Sequence, residues 1–339
     1  MHASPRITVI VASYNGERFV AETMRSILRQ TLADFELLVI DDGSTDGTRA
    51  ILADLAGGDR RMRVIEKPNE GLIATLNRGI AEARGSLIAR IDHDDLMRPT
   101  RLERQAAFLD ANPAFVAVGC LMQSMRADGS YIGKPRIRHE RLRHDPAAFP
   151  PRQQWLYGPT PMLRAAALRQ AGGYREKFVT AEDRDLCWRL GRLGPMERLP
   201  EVLVDYRFHS ANQSRLRQRT QVYAALLSDL SAIARHFGLE DGDVVDSIDP
   251  GGDYAPAIEG FRRLIGDRYP LDSYLMLYQM RAELWDLPGF PQRDSILQAI
   301  ARHAAQKPWD RTRLLLLRKA ALYLTRKPRG LGGHRVLEG

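Results

Sequence analysis

Short apolar runs alternate with amphipathic stretches through the first 92 residues, and this alternation constrains the fold more than any other feature of the chain. The runs are rich in β-branched residues, which indicates strands buried on both faces of a sheet. The strand-like runs are 6–12, 35–42, 63–67 and 86–92, and the helix-like stretches between them are 16–31, 44–56 and 71–85. This spacing is typical of βαβ units. We therefore predict an α/β fold with a mostly parallel, Rossmann-like sheet flanked by helices, in which Gly85 closes the third helix.

The pattern changes after residue 215, where strand-like runs stop and helical spacing dominates. Residues 220–238 and 273–287 are the clearest helical stretches of this second part. We therefore divide the chain into an α/β domain, 1–215, and a helical C-terminal region, 216–339.

The composition is that of an ordinary globular protein, with 44% hydrophobic and 27% charged residues among 339. The two cysteines, Cys120 and Cys187, form no CxxC pair, which argues against a disulfide scaffold or a zinc module and fits a reducing compartment. The N-terminus lacks the pattern of a signal peptide, and no stretch approaches the ~20 apolar residues of a membrane span. We therefore expect a cytoplasmic protein.

The C-terminal tail carries the excess positive charge. The formal net charge is +8, and residues 302–335 contain ten Lys or Arg and one acidic residue. On a helix over 310–330, leucine and alanine would share one face opposite basic residues, which suits peripheral binding to the inner face of the cytoplasmic membrane. The alternative is a helix packed on the α/β domain with a solvated basic edge. The tail lacks the interleaved aromatic residues of a nucleic-acid platform, so we expect no nucleic-acid partner.

Polar residues follow three of the predicted strands at the point where each strand ends. Residues 12–14 follow the first strand, residues 41–42 end the second, and Asp92, Asp94 and Asp95 end the fourth. Because ligands of parallel sheets bind at the carboxyl ends of the strands, these residues should gather at one edge. A divalent cation would neutralise such a carboxylate cluster, and oxygen ligands suit Mg²⁺ or Mn²⁺. The alternatives are an acidic, solvated turn that caps the next helix, and a core position for Tyr14.

Three motifs in this order resemble the family 2 glycosyltransferases of the GT-A fold. They are VIVASYNG through VIDDGSTDGT at 9–48, ARIDHDDLMRP at 89–99 and GGYREKFVTAEDRDLCWRLG at 172–191. The resemblance covers roughly residues 5–215. It implies inverting transfer of a sugar from a nucleotide-diphosphate donor, most commonly a UDP-sugar, to a hydroxyl of a glycan or lipid-linked acceptor. The missing QxxRW motif weighs against a processive, membrane-embedded polymerase. The resemblance then implies a non-processive bacterial enzyme of polysaccharide or glycoconjugate synthesis in the cell envelope.

The resemblance also implies roles for residues on the donor side. Ala12, Ser13 and Tyr14 would hold the nucleotide base, and Asp42 would accept a hydrogen bond from it. Asp92 would face the ribose or the diphosphate. Where some members carry a basic residue near the diphosphate, this chain has NEGLIATLN at 69–77, and Arg78 and Arg90 are candidates to compensate.

The same comparison implies the catalytic and metal-binding residues. Asp183 matches the catalytic base, with Glu182 beside it on the nucleotide-sugar side. Asp94 would bind Mn²⁺ or Mg²⁺ with Asp95 in support, and His209 would either complete the metal site or touch the diphosphate, unless it is a packed residue. A carboxylate can act as the base and a divalent metal can stabilise the leaving diphosphate, so no nucleophilic Ser or Cys is needed.

Three other functions compete with this one. A Rossmann dehydrogenase needs a glycine-rich turn after the first strand, which VASYNGERF lacks. A sugar nucleotidyltransferase often carries a glycine-rich basic loop there, which is also missing. A catalytically silent nucleotide-sugar-binding module is disfavoured because both Asp94 and Asp183 are present. The acceptor should meet residues 154–164 and 172–178, where Trp155 and Tyr157 are either stacking platforms or core residues.

Overall fold

A computed structural model describes residues 4–133, 156–210, 212, 218–249 and 254–268. The predicted helix at 273–287, the basic tail at 310–330 and Trp155 lie outside the described residues. Within the described part, no helix is long and apolar enough to cross a bilayer.

The described strands form one mixed sheet whose first four members are parallel. In chain order they are β1 (Ile7–Ser13), β2 (Phe35–Asp41), β3 (Met62–Glu66), β4 (Leu87–Arg90), β5 (Leu96–Met97), β6 (Ala117–Arg126), β7 (Met162–Arg164) and β8 (Met196–Phe208). Their order across the sheet is β3-β2-β1-β4-β7-β6-β8-β5. β1 pairs in parallel with both β2 and β4, whereas β7 runs antiparallel to β4 and β6. The parallel βαβ half confirms the fold predicted from the apolar runs.

Helices connect these strands and continue the chain after β8. They are α1 (Val20–Leu28), α2 (Thr48–Gly58), α3 (Leu72–Glu82), α4 (Arg101–Ala111), α5 (Ala165–Gln170), α6 (Glu182–Leu190), α7 (Gln218–His236), α8 (Gly242–Asp246) and α9 (Ala255–Ile265), followed by a 3₁₀ turn at Gly266–Arg268.

β1 is buried on both faces because helices cover the sheet from both sides. Val9 and Val11 pack in one core cluster with Met24 of α1, while Ile10 packs in a second cluster with Leu76 of α3. This two-residue alternation between two covered faces explains why β1 is a continuous apolar run rather than an alternating one.

The third helix ends earlier than its sequence pattern predicts. α3 stops at Glu82, and Ala83 is already extended, with φ −64° and ψ 130°. Gly85 does not close the helix, because it lies against β1, where an added Cβ would be 2.5 Å from the Thr8 amide nitrogen. The glycine is therefore a close-packing residue at the start of β4, and the prediction of a glycine cap at this helix end was wrong.

The C-terminal helices pack on the segment that leads into α6. Phe178 is fully buried in a third core cluster together with Leu227 and Leu230 of α7 and Phe261 of α9. The division of the chain at residue 215 stays a prediction, but one apolar core extends across that point.

Candidate active site

Hydrogen bonds connect the loop after β1 to the loop after β2. The amide of Asn15 donates to Ser44 Oγ at 2.9 Å, and Asn15 Oδ1 accepts from the amide of Thr45 at 2.9 Å. Asn15 has a φ of +47°, a left-handed conformation that asparagine tolerates better than most residues. Ala12 and Ser13 end β1, and the following Tyr14 is 45% exposed. Tyr14 is therefore not a core aromatic, and its ring is free to stack on a planar ligand.

The two acidic residues at the end of β2 have different surroundings. Asp41 is fully buried and accepts from the Ser44 amide at 3.1 Å and from Arg49 Nε at 3.0 Å, which stabilises the turn. Asp42 accepts a hydrogen bond from Lys67 Nζ. It also accepts from the backbone amides of Glu70 and Gly71, both at 2.9 Å. Burial raises the pKa of Asp42, but these hydrogen bonds outweigh it and hold the pKa below its ordinary value.

The carboxylate-rich turn after β4 meets the end of β8. His209 Nε2 lies 2.7 Å from Asp94 Oδ2, and Asn212 Nδ2 lies 3.4 Å from the same oxygen. The ring of Phe19 packs on His209 with centroids 5.0 Å apart. Burial raises the pKa of Asp94, but the hydrogen bond to His209 and the nearby His93 outweigh it, and the pKa is lowered. The structure therefore brings together the two residues expected to bind a metal.

Asp95 supports this turn from beneath. It is fully buried, and its Oδ1 accepts the Arg207 amide at 2.8 Å, while Arg207 Nε donates to the Asp94 carbonyl at 2.8 Å. Burial and the neighbouring Asp94 and Asp92 raise the pKa of Asp95 well above its ordinary value. Asp95 Oδ2 makes no hydrogen bond in the described part of the chain. An orphaned carboxylate oxygen under an acidic turn fits a site that gains a cation.

The ligand atoms around Asp94 suit Mn²⁺ or Mg²⁺, provided that the protein supplies only some of the metal ligands. Among the described residues, no group of three His, Cys, Asp or Glu could hold a metal ion alone. Asp94 Oδ2 and His209 Nε2 lie 2.7 Å apart as hydrogen-bond partners, so both are near enough to contribute to one site. These metals commonly keep water and substrate phosphate ligands, so one carboxylate and one imidazole are a sufficient protein contribution.

Glu182 and Asp183 begin α6 but lie in different environments. Asp183 is partly exposed, and its Oδ2 accepts the Gly158 amide at 3.1 Å. Glu182 is buried, and its Oε1 accepts from Arg90 Nη1 at 3.0 Å. Burial raises the pKa of Glu182 to about 7, although Arg90 opposes the shift. Of the two acids, Asp183 is the one open to a substrate.

Arg90 and Arg78 are not placed as compensating cations for a diphosphate. Arg90 is 4% exposed and pairs with Asp92 and Glu182, while Arg78 pairs along α3 with Glu82 at 2.9 Å. Lys67, which the sequence did not single out, is a basic residue at this edge of the sheet, through its contact with Asp42.

Two residues with open assignments are settled by their exposure. Tyr157 is 48% exposed, so it is a surface aromatic and not a core residue, and it immediately precedes Gly158, whose amide contacts Asp183. Cys187 is buried, its Sγ lies 3.6 Å from the Leu156 carbonyl oxygen, and burial raises its pKa to about 12. Cys187 is therefore a core residue and not a nucleophile.

Two solved structures with nucleotide sugars bound have a similar fold. Residues 1–349 of S. aureus TarS in complex with UDP-GlcNAc align with a TM-score of 0.58 at 18% identity, over 78% of this chain and 82% of that one. The mannosyltransferase PcManGT from Pyrobaculum calidifontis, in complex with GDP-Man and Mn²⁺, aligns with a TM-score of 0.53 at 22% identity, over 96% of this chain and 82% of that one. At these identities the likeness shows the GT-A fold.

Sequence relatives point the same way. The putative glycosyltransferase EpsE of Bacillus subtilis is 37% identical over 196 residues, which are 56% of this chain and 68% of that protein. The chondroitin synthase of Pasteurella multocida is 26% identical over 218 residues, 63% of this chain but 22% of that protein. A sequence model described as Glycosyl transferase family 2 matches residues 8–179. The chain belongs to the family 2 glycosyltransferases.

Proposed function

We propose that the protein is an inverting, metal-dependent glycosyltransferase that moves a sugar from a UDP-sugar to a hydroxyl of a glycan or lipid-linked acceptor. One observation carries this proposal. The Asp94–His209 pair and the partly exposed Asp183 lie at the same edge of the sheet, and Arg90 joins the Asp92 turn to the helix of Asp183. The site thus combines a metal-binding pair with a carboxylate that can act as a base.

The donor is assigned to the ends of β1, β2 and β4. β1 lies between the other two strands, so the β2 and β4 ends are about 10 Å apart, a span that a nucleoside can bridge. Ala12, Ser13 and the exposed ring of Tyr14 would hold the base, with Asp42 on one side and Asp92 on the other. The nucleotide sugars in the TarS and PcManGT complexes support a nucleotide-sugar donor for this chain as well.

The chemistry assigned to Asp183 is general-base catalysis. Its carboxylate takes the proton of the acceptor hydroxyl while the acceptor oxygen bonds to the anomeric carbon and the bond from that carbon to the diphosphate breaks. The Gly158 amide, which donates to Asp183 Oδ2 at 3.1 Å, orients the carboxylate for this step. A divalent metal held by Asp94 and His209 would neutralise charge on the departing nucleoside diphosphate. A single displacement of this kind inverts the anomeric configuration.

The acceptor is assigned to the surface beside Tyr157. Its exposed ring neighbours the Gly158–Asp183 contact and can stack on a sugar ring. The likeness to a chondroitin synthase and a hyaluronan synthase of Pasteurella multocida supports a role in polysaccharide or glycoconjugate synthesis in the cell envelope. If the acceptor is lipid-linked, peripheral membrane binding by residues 310–330 would bring the enzyme to it.

A donor screen tests this function. Purified protein is incubated with UDP-, GDP- and dTDP-sugars, and release of the nucleoside diphosphate is measured with Mn²⁺, with Mg²⁺ and with EDTA. We expect release from a UDP-sugar that stops in EDTA and returns with added metal. Binding of a nucleotide sugar without turnover would favour a catalytically silent module instead, and pyrophosphate exchange into the donor would favour a nucleotidyltransferase.

A further inference from the structure

Arg90 is a buried arginine that joins two carboxylates from distant parts of the chain. Its side chain is 5% exposed, Nη1 donates to Glu182 Oε1 at 3.0 Å, and Nε and Nη2 each donate to Asp92 Oδ1 at 3.2 Å. Asp92 lies in the turn that carries Asp94, and Glu182 is the first residue of α6. One side chain therefore connects the donor side of the site to the helix that carries Asp183.

The loop before β7 closes against this connection. The Gly158 amide donates to Asp183 Oδ2 at 3.1 Å. A Cβ added to Gly158 would lie 3.7 Å from Arg90 Nη2 and 3.9 Å from Asp92 Oδ2, so the glycine backbone lies directly over the pair. Asp183 is thus linked to Arg90 in two ways: it follows Glu182 directly in the chain, and its Oδ2 accepts from Gly158, which lies against Arg90. Its Oδ1 accepts the Arg184 amide at 2.7 Å, a bond within α6 that does not involve Arg90.

Arginine suits this position better than lysine. Its planar fork presents several donors in a fixed geometry and stays charged when buried. Burial opposes the charge on Arg90, but Asp92, Tyr174 and Glu182 outweigh it and hold the pKa of the guanidinium well above its ordinary value. A lysine at this position would keep the positive charge but lose the planar fork. Arg90→Lys therefore tests the geometry of the side chain separately from its charge, which Arg90→Gln removes.

We propose that Arg90 is the positioning residue that sets the place of Asp183 relative to the donor, and that Glu182 is the buried hydrogen-bond partner of Arg90 rather than a contact of the nucleotide sugar. The inference rests on the proposed function, because it assigns roles within sugar transfer. It gives Glu182 a different role from the one that the family resemblance implied. With 8% exposure and its carboxylate on Arg90, Glu182 is poorly placed to meet a ligand at the open edge.

The test compares Arg90→Lys, Arg90→Gln and Glu182→Gln with the unmodified chain. It also includes the double variant that combines Arg90→Gln with Glu182→Gln. For each, kcat is measured by nucleoside diphosphate release, and the donor Kd is measured separately. Because a displacement of about 1 Å at a reacting group can cost ~10²-fold in rate, we expect kcat to fall about 10- to 100-fold. The donor Kd should change by less than kcat does, because Arg90 also holds Asp92 on the donor side, whereas the loss of positioning acts only on the transition state. Arg90→Lys keeps a buried cation and serves if Arg90→Gln fails to fold.

The double variant decides the role of Glu182. If Glu182 acts through Arg90, the double variant should be no slower than Arg90→Gln alone, because the two side chains work as one unit. If Glu182 contacts the donor, Glu182→Gln should raise the donor Kd, and the two losses should multiply.

Arg189→Lys is the matched control. Arg189 lies on α6, the helix of Glu182 and Asp183, and is 7% exposed. Like Arg90, it donates two hydrogen bonds to one carboxylate, here that of Asp185, from Nε at 3.0 Å and from Nη2 at 2.7 Å. Its other bonds go to the carbonyls of Ala171 and Gly173. We expect Arg189→Lys to lower the melting temperature at least as much as Arg90→Lys does, while kcat changes by less than about twofold.

Three results would overturn the inference while the unmodified chain stays active. These are normal kcat in Arg90→Lys, equal loss of kcat in Arg90→Lys and Arg189→Lys, and multiplied losses in the double variant. An unmodified chain that neither binds nor turns over any nucleotide sugar would instead contradict the proposed function, and the inference with it.

Discussion

His209 Nε2 lies 2.7 Å from Asp94 Oδ2, although the two residues are 115 positions apart in the chain. One comes from the end of β8 and the other from the turn after β4, so the sheet itself sets their distance. Substitution of either residue of this pair tests the proposed requirement for a metal ion.

Asp94→Asn and His209→Ala should each raise the Mn²⁺ concentration needed for half-maximal activity by about tenfold or more, because each removes one protein ligand. Titration of turnover with Mn²⁺ measures this. His236→Ala, an exposed histidine on α7, is the control and should leave the Mn²⁺ requirement unchanged. Full activity of the unmodified protein in EDTA would contradict the metal assignment.

The C-terminal helices should stabilise α6, the helix that carries Asp183, through one buried carboxylate. Asp229 of α7 is 1% exposed and accepts from Arg184 at 2.6 and 2.8 Å and from Trp188 Nε1 at 2.8 Å. Asp229→Asn weakens these charge-assisted bonds, so we expect a loss of about 2–3 kcal/mol in the free energy of unfolding. Urea unfolding measures it, with the exposed Asp246→Asn as control. Equal stability of the two variants would show that Asp229 does not hold α7 on α6.

Glu182 should make stability fall as pH rises through the neutral range. Its pKa is raised by burial to about 7 from 4.5, so the folded chain binds a proton that the unfolded chain has lost. The stability from this proton is complete below about pH 4.5 and is lost as the pH rises through about 7. Glu182→Gln should remove this component, and melting temperatures between pH 5 and 8 check it. An unchanged difference between the two proteins across that range would contradict the shift.

The basic tail should bind anionic membranes if its amphipathic pattern serves that purpose. Liposome co-sedimentation of the full chain should be stronger with anionic than with neutral lipid and weaker at high salt, since each basic residue near such a surface contributes about 1 kcal/mol. A chain ending at Lys307 is the control and should not pellet. Equal pelleting of both chains would favour the alternative, a tail packed on the α/β domain.

Local pattern was enough to predict the first half of the fold. β1 to β4 and α1 to α3 follow from periodicity, because each is a continuous segment whose burial repeats every two or about 3.6 residues. The predicted end of α3 was wrong because a glycine after a helical stretch usually indicates a helix cap. Gly85 is instead a glycine because it packs closely against Thr8, a residue distant in the chain. Periodicity contains no information about that contact.

Contacts between segments were predicted less well. The role of Lys67 was missed, although β2 and β3 pair in parallel with Asp41 opposite Glu66, which places the next residues, Asp42 and Lys67, side by side. That register could have been inferred from the two apolar runs. The strand-end position of Asp94 indicated a cation site, but the pairing of Asp94 with His209 came from family resemblance. The proximity of the two residues is created where β5 pairs with β8, and it leaves no signal in either segment.

The most direct test of the account is Asp183→Asn, measured for donor binding and for turnover side by side. Asparagine keeps the side-chain carbonyl that can accept the Gly158 amide but cannot take a proton at neutral pH, so geometry is kept and basicity is lost. We predict an unchanged donor Kd and a turnover reduced by ~10²-fold or more, with Asp54→Asn, at an exposed position on α2, as control. Normal turnover in Asp183→Asn, or an equal loss of binding and turnover, would contradict the assignment of Asp183 as the base.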